Sequence, residues 1–147
     1  MRLAATSAVI GSVVSILATA TPAAAVCLLN EYSVGAEFNR SRIVMVGKVE
    51  GARTITDADG LVSGTFYRLR TTRIFKGSPR RSLPLYSENA SGRFPMDLGR
   101  AYLLFVYSGV FNDDIHSLAV DNCGNSARLG PDASKALMAV RKLARRR

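Results

Sequence analysis

Residues 65–77 read TFYRLRTTRIFKG, and this stretch decides the fold. Phe66, Arg68 and Arg70 alternate with Tyr67, Leu69 and Thr71, the two-residue period of a strand with one face on a core and one toward water. Tyr67 and Leu69 form the inward set, and Arg68 and Arg70 look out. Ile74 falls out of phase with Leu69, so a β-bulge is expected near Thr72. Lys76-Gly77-Ser78-Pro79 then closes the strand with a turn.

Upstream, residues 42–49 (RIVMVGKV) are a β-branched run that predicts a deeply buried strand, with Gly47 at a bulge or sharp coil where the sheet curves. The strand continues, more polar and exposed, through residues 53–56. Asp57-Ala58-Asp59-Gly60 is a turn, its acidic side chains able to bond nearby backbone. Residues 31–41 carry Val34 and Phe38 four apart, the spacing of a short helical turn with both side chains inward.

Downstream, residues 82–87 (SLPLYS) make a third strand, which Pro84 confines to an edge or a bulge because proline lacks an amide proton. Residues 87–99 show little periodicity and are the longest expected loop. Residues 101–107 (AYLLFVY) are the most apolar stretch after the leader, a strand buried on both faces or against a helix. Asn112-Asp113-Asp114 is a turn, and residues 115–121 are the last strand, running into Asn122-Cys123-Gly124. Residues 132–144 predict a helix, started by Pro131 or Asp132, with Leu137, Val140 and Ala144 as its apolar stripe. Lys135, Arg141 and Lys142 lie on its polar side, and its cationic end suits a helix C-terminus. The expectation is an all-β fold with flanking helices, a small five-stranded OB-like barrel with a C-terminal helix. A small two-sheet sandwich is the alternative, which periodicity does not separate from it.

The chain has 147 residues and opens with a secretory leader pattern. Met1-Arg2 is followed by an uncharged, mostly apolar run, and Ala23 and Ala25 supply the small side chains of a signal-peptidase site. Residues 1–25 are expected to be removed, leaving residues 26–147 as one domain with a basic tail at 141–147. The run is also long enough to span a bilayer if it stays uncut. No later run is. The chain is therefore placed in a secreted or periplasmic setting, with no transmembrane segment after cleavage.

Cys27 and Cys123 are the only cysteines. In an oxidising compartment they are expected to close a long-range disulfide, a cross-link that contributes roughly 2–4 kcal/mol by constraining the unfolded chain. Two separate buried thiols are the alternative.

The net charge is +9, and losing Arg2 with the leader reduces it to +8. Arg141, Lys142, Arg145, Arg146 and Arg147 carry five of those charges. Such a tail favours anionic surfaces: phospholipid, acidic glycan or nucleic acid, the last being least available to an exported protein.

Taken in order, several short segments resemble the netrin-like module, in particular a bacterial secreted branch related to the N-terminal domain of the tissue inhibitors of metalloproteinases. The segments are Cys27, residues 41–49 (SRIVMVGKV), residues 74–77 (IFKG), residues 99–105 (GRAYLLF) and residues 123–126 (CGNS). In this order they are spread over the chain from Cys27 to Ser126. The resemblance implies a five-stranded barrel with helices packed beside it and a role in binding other proteins. In the animal inhibitors an N-terminal cysteine grips the protease zinc through its free amine and carbonyl. Here Val26 precedes Cys27 after the expected cleavage, Leu28 and Leu29 stand where a Cys-x-Cys start would need a second cysteine, and Ser91-Gly92 replaces a central cysteine. The fold and one disulfide carry over; the zinc grip does not.

No catalytic set is expected. His116, the one histidine, lies in a predicted strand and has no clear orienting partner among Asp113, Asp114 and Asp121. One histidine and two paired cysteines do not make a four-ligand zinc site, and the glycines lack a phosphate-binding spacing, so neither metal nor cofactor is expected. Arg68, Arg70 and Arg73 with Phe66 and Tyr67 have the composition of a nucleic-acid face, but an ordinary solvated basic face is the expectation.

The leading expectation is a secreted, non-enzymatic protein-binding module, of protease-inhibitor or envelope-associated type, whose partner segment is Val26, Cys27, Leu28 and Leu29. One alternative binds anionic lipid or glycan through Arg141, Lys142, Arg145, Arg146 and Arg147, helped by Arg80 and Arg81. A structural envelope protein is the other.

Overall fold

The computed structural model describes residues 32–90, 92–111 and 115–146. Its elements are α1 (Val34–Arg40), β1 (Ile43–Thr56), β2 (Val62–Lys76), β3 (Ser82–Glu88), β4 (Ala101–Phe111), β5 (Ile115–Val120), β6 (Ala127–Arg128) and α2 (Pro131–Ala144). All strand pairs are antiparallel.

The β1–β2 ribbon owes its curvature to extra residues. Val46 faces Arg73 and Gly47 faces Thr71, so Thr72 is the bulged residue, its hydroxyl donating to the Val46 carbonyl at 3.0 Å. The bulge expected near Thr72 is present, with Gly47 opposite it. Further shifts leave Phe75, Glu50 and Ser63 without direct partners. Ile74, however, is 49% exposed, and the neighbouring Phe75 packs against the helix-side core instead. Asp57 Oδ1 accepts from the amides of Asp59 and Leu61, and Gly60 takes φ +79°, which gives the expected turn.

The strands follow the order β3-β2-β1-β4-β5, with β6 beside β4. One sheet forms rather than the two of a sandwich. Its end strands β3 and β5 come into contact without a hydrogen-bonded ladder, so the barrel is partly open. Aromatic rings help to close the gap. Tyr86 of β3 lies 5.2 Å from Phe111 of β4 and 5.0 Å from Phe66 of β2. Gly64 makes room, because a side-chain carbon there would strike the Tyr86 ring. Pro84 lies on β3, one end of the hydrogen-bonded path, as its missing amide requires.

Two apolar layers use the two faces of the same strands. Ile43, Met45, Leu69, Leu85, Leu104 and Val120 belong to the barrel interior. The stretch with no periodicity supplies Phe94 and Met96 to that interior. It is tied down because Met96 N donates to the Tyr67 hydroxyl (3.2 Å) and Asp97 N to the Tyr102 hydroxyl (2.9 Å). On the other face, Val44, Leu103 and Phe105 meet Phe38 of α1 and Ala136 and Val140 of α2. Within the apolar run 101–107, residues 102–106 are therefore buried, whereas Ala101 is half-buried and Tyr107 is 37% exposed. Pro131 begins α2, and the expected stripe of Leu137, Val140 and Ala144 extends to Ala133 and Ala136. Among the described residues, no helix is long and apolar enough to cross a membrane.

Candidate functional site

One corner joins α1, the turn after β5 and the start of α2, and a buried carboxylate organises it. Ser33 caps α1 by accepting from Ala36 N, and the Ser41 amide and hydroxyl both donate to the Glu37 carbonyl. Between these caps, Glu37 shares the inward face with Val34 and Phe38 and is only 2% exposed. Its Oε2 accepts from the Asn125 amide and from Asn125 Nδ2, each at 2.6 Å. Asn125 Nδ2 also donates to the Tyr32 carbonyl at 2.7 Å. Gly124 is the residue that lets the turn approach, since a side-chain carbon there would overlap the Glu37 carboxylate. A buried carboxylate is tolerated when fixed donors replace water, and here they come from a turn 88 residues away.

The turn is held from its other side by Asp121, whose Oδ1 accepts from Cys123 N at 2.9 Å. Asp121 also meets Arg40 at 3.4 Å, and the Arg40 guanidinium lies 3.4 Å over the Tyr32 ring. Burial pushes the Arg40 pKa down, but the Tyr32 hydroxyl and the charges of Glu37 and Asp121 outweigh it and hold it above the ordinary value. The ion pair is solvent-exposed and contributes little by itself. Behind it, Ser126 Oγ accepts from Phe105 N at 2.9 Å, which pins the turn to β4. A groove of about 660 Å³ opens beside this assembly, lined by Tyr32, Ser33, Cys123, Asn125, Asp132 and Lys135.

Val26, Cys27, Leu28 and Leu29 lie outside the described residues, as do the leader, Asp113, Asp114, Ser91 and Arg147. Cys123, the expected partner of Cys27, lines the groove. Arg141, Lys142, Arg145 and Arg146 are all exposed at the far end of α2, so the tail does not form part of the groove. Arg80 and Arg81 are exposed before β3. His116 is exposed on β5 opposite Val110, and Asp121 is engaged with Arg40 and Cys123. Among the described residues no group of three or more histidine, cysteine, aspartate or glutamate side chains could hold a metal ion. The chain matches no family model and no curated protein sequence.

Glu37 is the residue of this corner that sequence reasoning passes over. A signal was available, because Glu37 is three residues after Val34 and beside Phe38, on the stripe that turns inward. Its partner Asn125 carries no such mark.

Proposed function

We propose that the chain is a secreted or periplasmic, non-enzymatic protein-binding module of the netrin-like type, whose partner surface is the corner around Cys123. The observation that carries this is the Glu37–Asn125 clamp, which fixes the Cys123 turn beside an open groove. A rigid, partly apolar concavity with a few fixed polar groups is suited to receive a partner's side chains at low ordering cost. Tyr32 lines the groove, and Cys27 precedes it by five residues in the sequence. A Cys27–Cys123 bridge, as expected in an oxidising compartment, would hold Val26, Leu28 and Leu29 at the groove.

The test begins with the exported full-length chain: intact mass before and after reduction, and N-terminal sequencing. A start at Val26 with a 2 Da gain on reduction is expected for one disulfide. The same protein, immobilised, should then retain a defined envelope or extracellular protein that is lost when Val26, Leu28 and Leu29 are replaced by serine. Equal retention by that variant would remove the corner from the reading. A panel of extracellular metalloproteases decides the inhibitor form of the proposal.

A second reading rests on the tail. Arg141, Lys142, Arg145 and Arg146 are exposed, and none joins a salt bridge among the described residues. Binding to acidic vesicles through these groups should fall steeply with added salt and vanish with the tail. Binding that survives both changes would dispose of it.

A further inference from the structure

A second concavity, of about 550 Å³, shares no lining residue with the Cys123 groove and is lined by Gly51, Arg53, Phe66, Arg68, Ser82 and Pro84. It is a consequence of strand register. Arg68 faces Gly51 on one side and Pro84 on the other, while Arg53 faces Phe66. The Glu50 bulge shifts phase so that Gly51, rather than a larger residue, lies beneath the Arg68 side chain. The Arg53 guanidinium is 5.8 Å from the centre of the Phe66 ring. Neither Arg53 nor Arg68 joins a salt bridge among the described residues, whereas Arg70 on the same face is paired with Glu50 at 2.7 Å. Arg80 and Arg81 extend the charge at the β3 end of the face. Their carbonyls accept from the Thr71 hydroxyl and the Thr71 amide, each at 2.9 Å, so that segment is tethered to β2.

The geometry points to this groove as a binding site for an acidic polysaccharide, a linear polymer carrying sugar carboxylates. Guanidinium forks match carboxylates in two-point contacts, and unpaired arginines along a concave strip complement a regularly charged chain. Half-buried Phe66 and exposed Pro84 also line the groove and offer a platform for the apolar face of a sugar ring. An acidic peptide would be held best by adding to a strand edge, but this groove lies on a sheet face in which β2 is paired on both sides. Single-stranded nucleic acid needs successive stacking rings, and Phe66 is the one outward ring here, Tyr67 being buried.

Calorimetric titration of the full exported chain with polygalacturonate at low salt tests the assignment. Oligo-dT, poly-L-glutamate and an uncharged galactan serve as comparisons. Polygalacturonate should bind, weaken with added salt, and lose about tenfold in affinity in the Arg53→Gln/Arg68→Gln double variant. Arg68→Lys should lose part of that, since it keeps the charge and removes the fork. Arg145→Gln/Arg146→Gln should change affinity less than about threefold, because the tail lies at the end of α2 rather than in this groove. Arg53, Arg68, Arg145 and Arg146 are all exposed, and circular dichroism checks that each variant folds. The assignment is overturned if polygalacturonate fails to bind, if the tail variant abolishes binding, if the groove variant leaves it intact, or if oligo-dT or polyglutamate binds as tightly.

Discussion

On the barrel side, β1 and β4 contribute Ile43, Met45, Tyr102, Leu104 and Val106 to an interior that all five long strands share. On the helix side, the alternating residues of the same strands, Val44, Leu103 and Phe105, meet two helices and stand next to a buried carboxylate. Both layers hold fully buried side chains, but the helix-side layer is bordered by more partly exposed residues, among them Val34, Phe75 and Leu137. They differ in how their polar groups are satisfied. In the interior, the Tyr67 and Tyr102 hydroxyls are met by amides of the adjoining loop. On the helix side, Glu37 depends on Asn125, and Phe105 N depends on Ser126, both from the turn after β5. The first layer is maintained by apolar area, which is non-directional. The second adds to its apolar contacts a few directional bonds to one turn, and that turn bounds the proposed partner groove.

The largest effect should come from the interior. Leu104 is fully buried, so Leu104→Ala is expected to cost about 2–5 kcal/mol in urea unfolding, from lost transfer energy and the cavity left behind. Because the layer is shared by every long strand, hydrogen exchange should rise throughout the barrel. A loss confined to the Cys123 corner would break the comparison.

Glu37→Ala is the matching change in the other layer. It leaves the Asn125 amide and one Nδ2 hydrogen without an acceptor, at a cost of about 2–3 kcal/mol. Exchange should speed most at Asn125 and its turn, with the barrel interior nearly unaffected. Glu37→Gln keeps an acceptor oxygen and should retain part of the bond, so a smaller loss separates the hydrogen bond from simple packing.

The contrast also marks what the sequence makes legible. Tyr67, Leu69 and the middle of the run at 101–107 announce their burial through period and composition, and Thr72 reveals its bulge through the phase slip at Ile74. Local chemistry shows the turn at residues 57–60 and the start of α2 at Pro131. What stays hidden depends on contacts far along the chain. Phe94 and Met96 enter the core from a stretch without periodicity, because backbone amides near them reach the hydroxyls of Tyr67 and Tyr102. Phe75 covers the helix-side layer where Ile74 was the apparent core residue, because a second register shift falls there. Glu37 is half-legible through its helical spacing, but nothing local identifies Asn125 as its partner.

Ser126→Ala tests the smaller support of the same turn. It removes the acceptor for the buried Phe105 amide and should cost about 1 kcal/mol. Its exchange signature should appear at Phe105 and at the turn together. If only β4 responds, Ser126 supports the strand and leaves the groove untouched.

The smallest expected effect lies at the border of the helix-side layer. Tyr107 shares a cavity with Glu37, Arg40 and Asp121. Burial raises its pKa above the ordinary 10.0, the negative charges of Asp121 and Glu88 add to the rise, and Arg40 offsets part of it. In the unfolded chain the phenol loses its proton near pH 10, whereas the folded protein retains it to higher pH. Above about pH 10 the folded state therefore binds more protons than the unfolded state, and stability falls as pH rises through the window between the two pKa values. Below that window both states are protonated and the phenol contributes no pH dependence. Tyr107→Phe should consequently leave the urea midpoint near pH 8 little changed and flatten its decline between pH 9 and 11 relative to the parent. The other tyrosines titrate in both proteins, so the difference between the two slopes isolates Tyr107. Identical slopes would mean that Tyr107 does not sense the carboxylate side of this corner, and the electrostatic boundary between the two layers would have to be redrawn at Arg40.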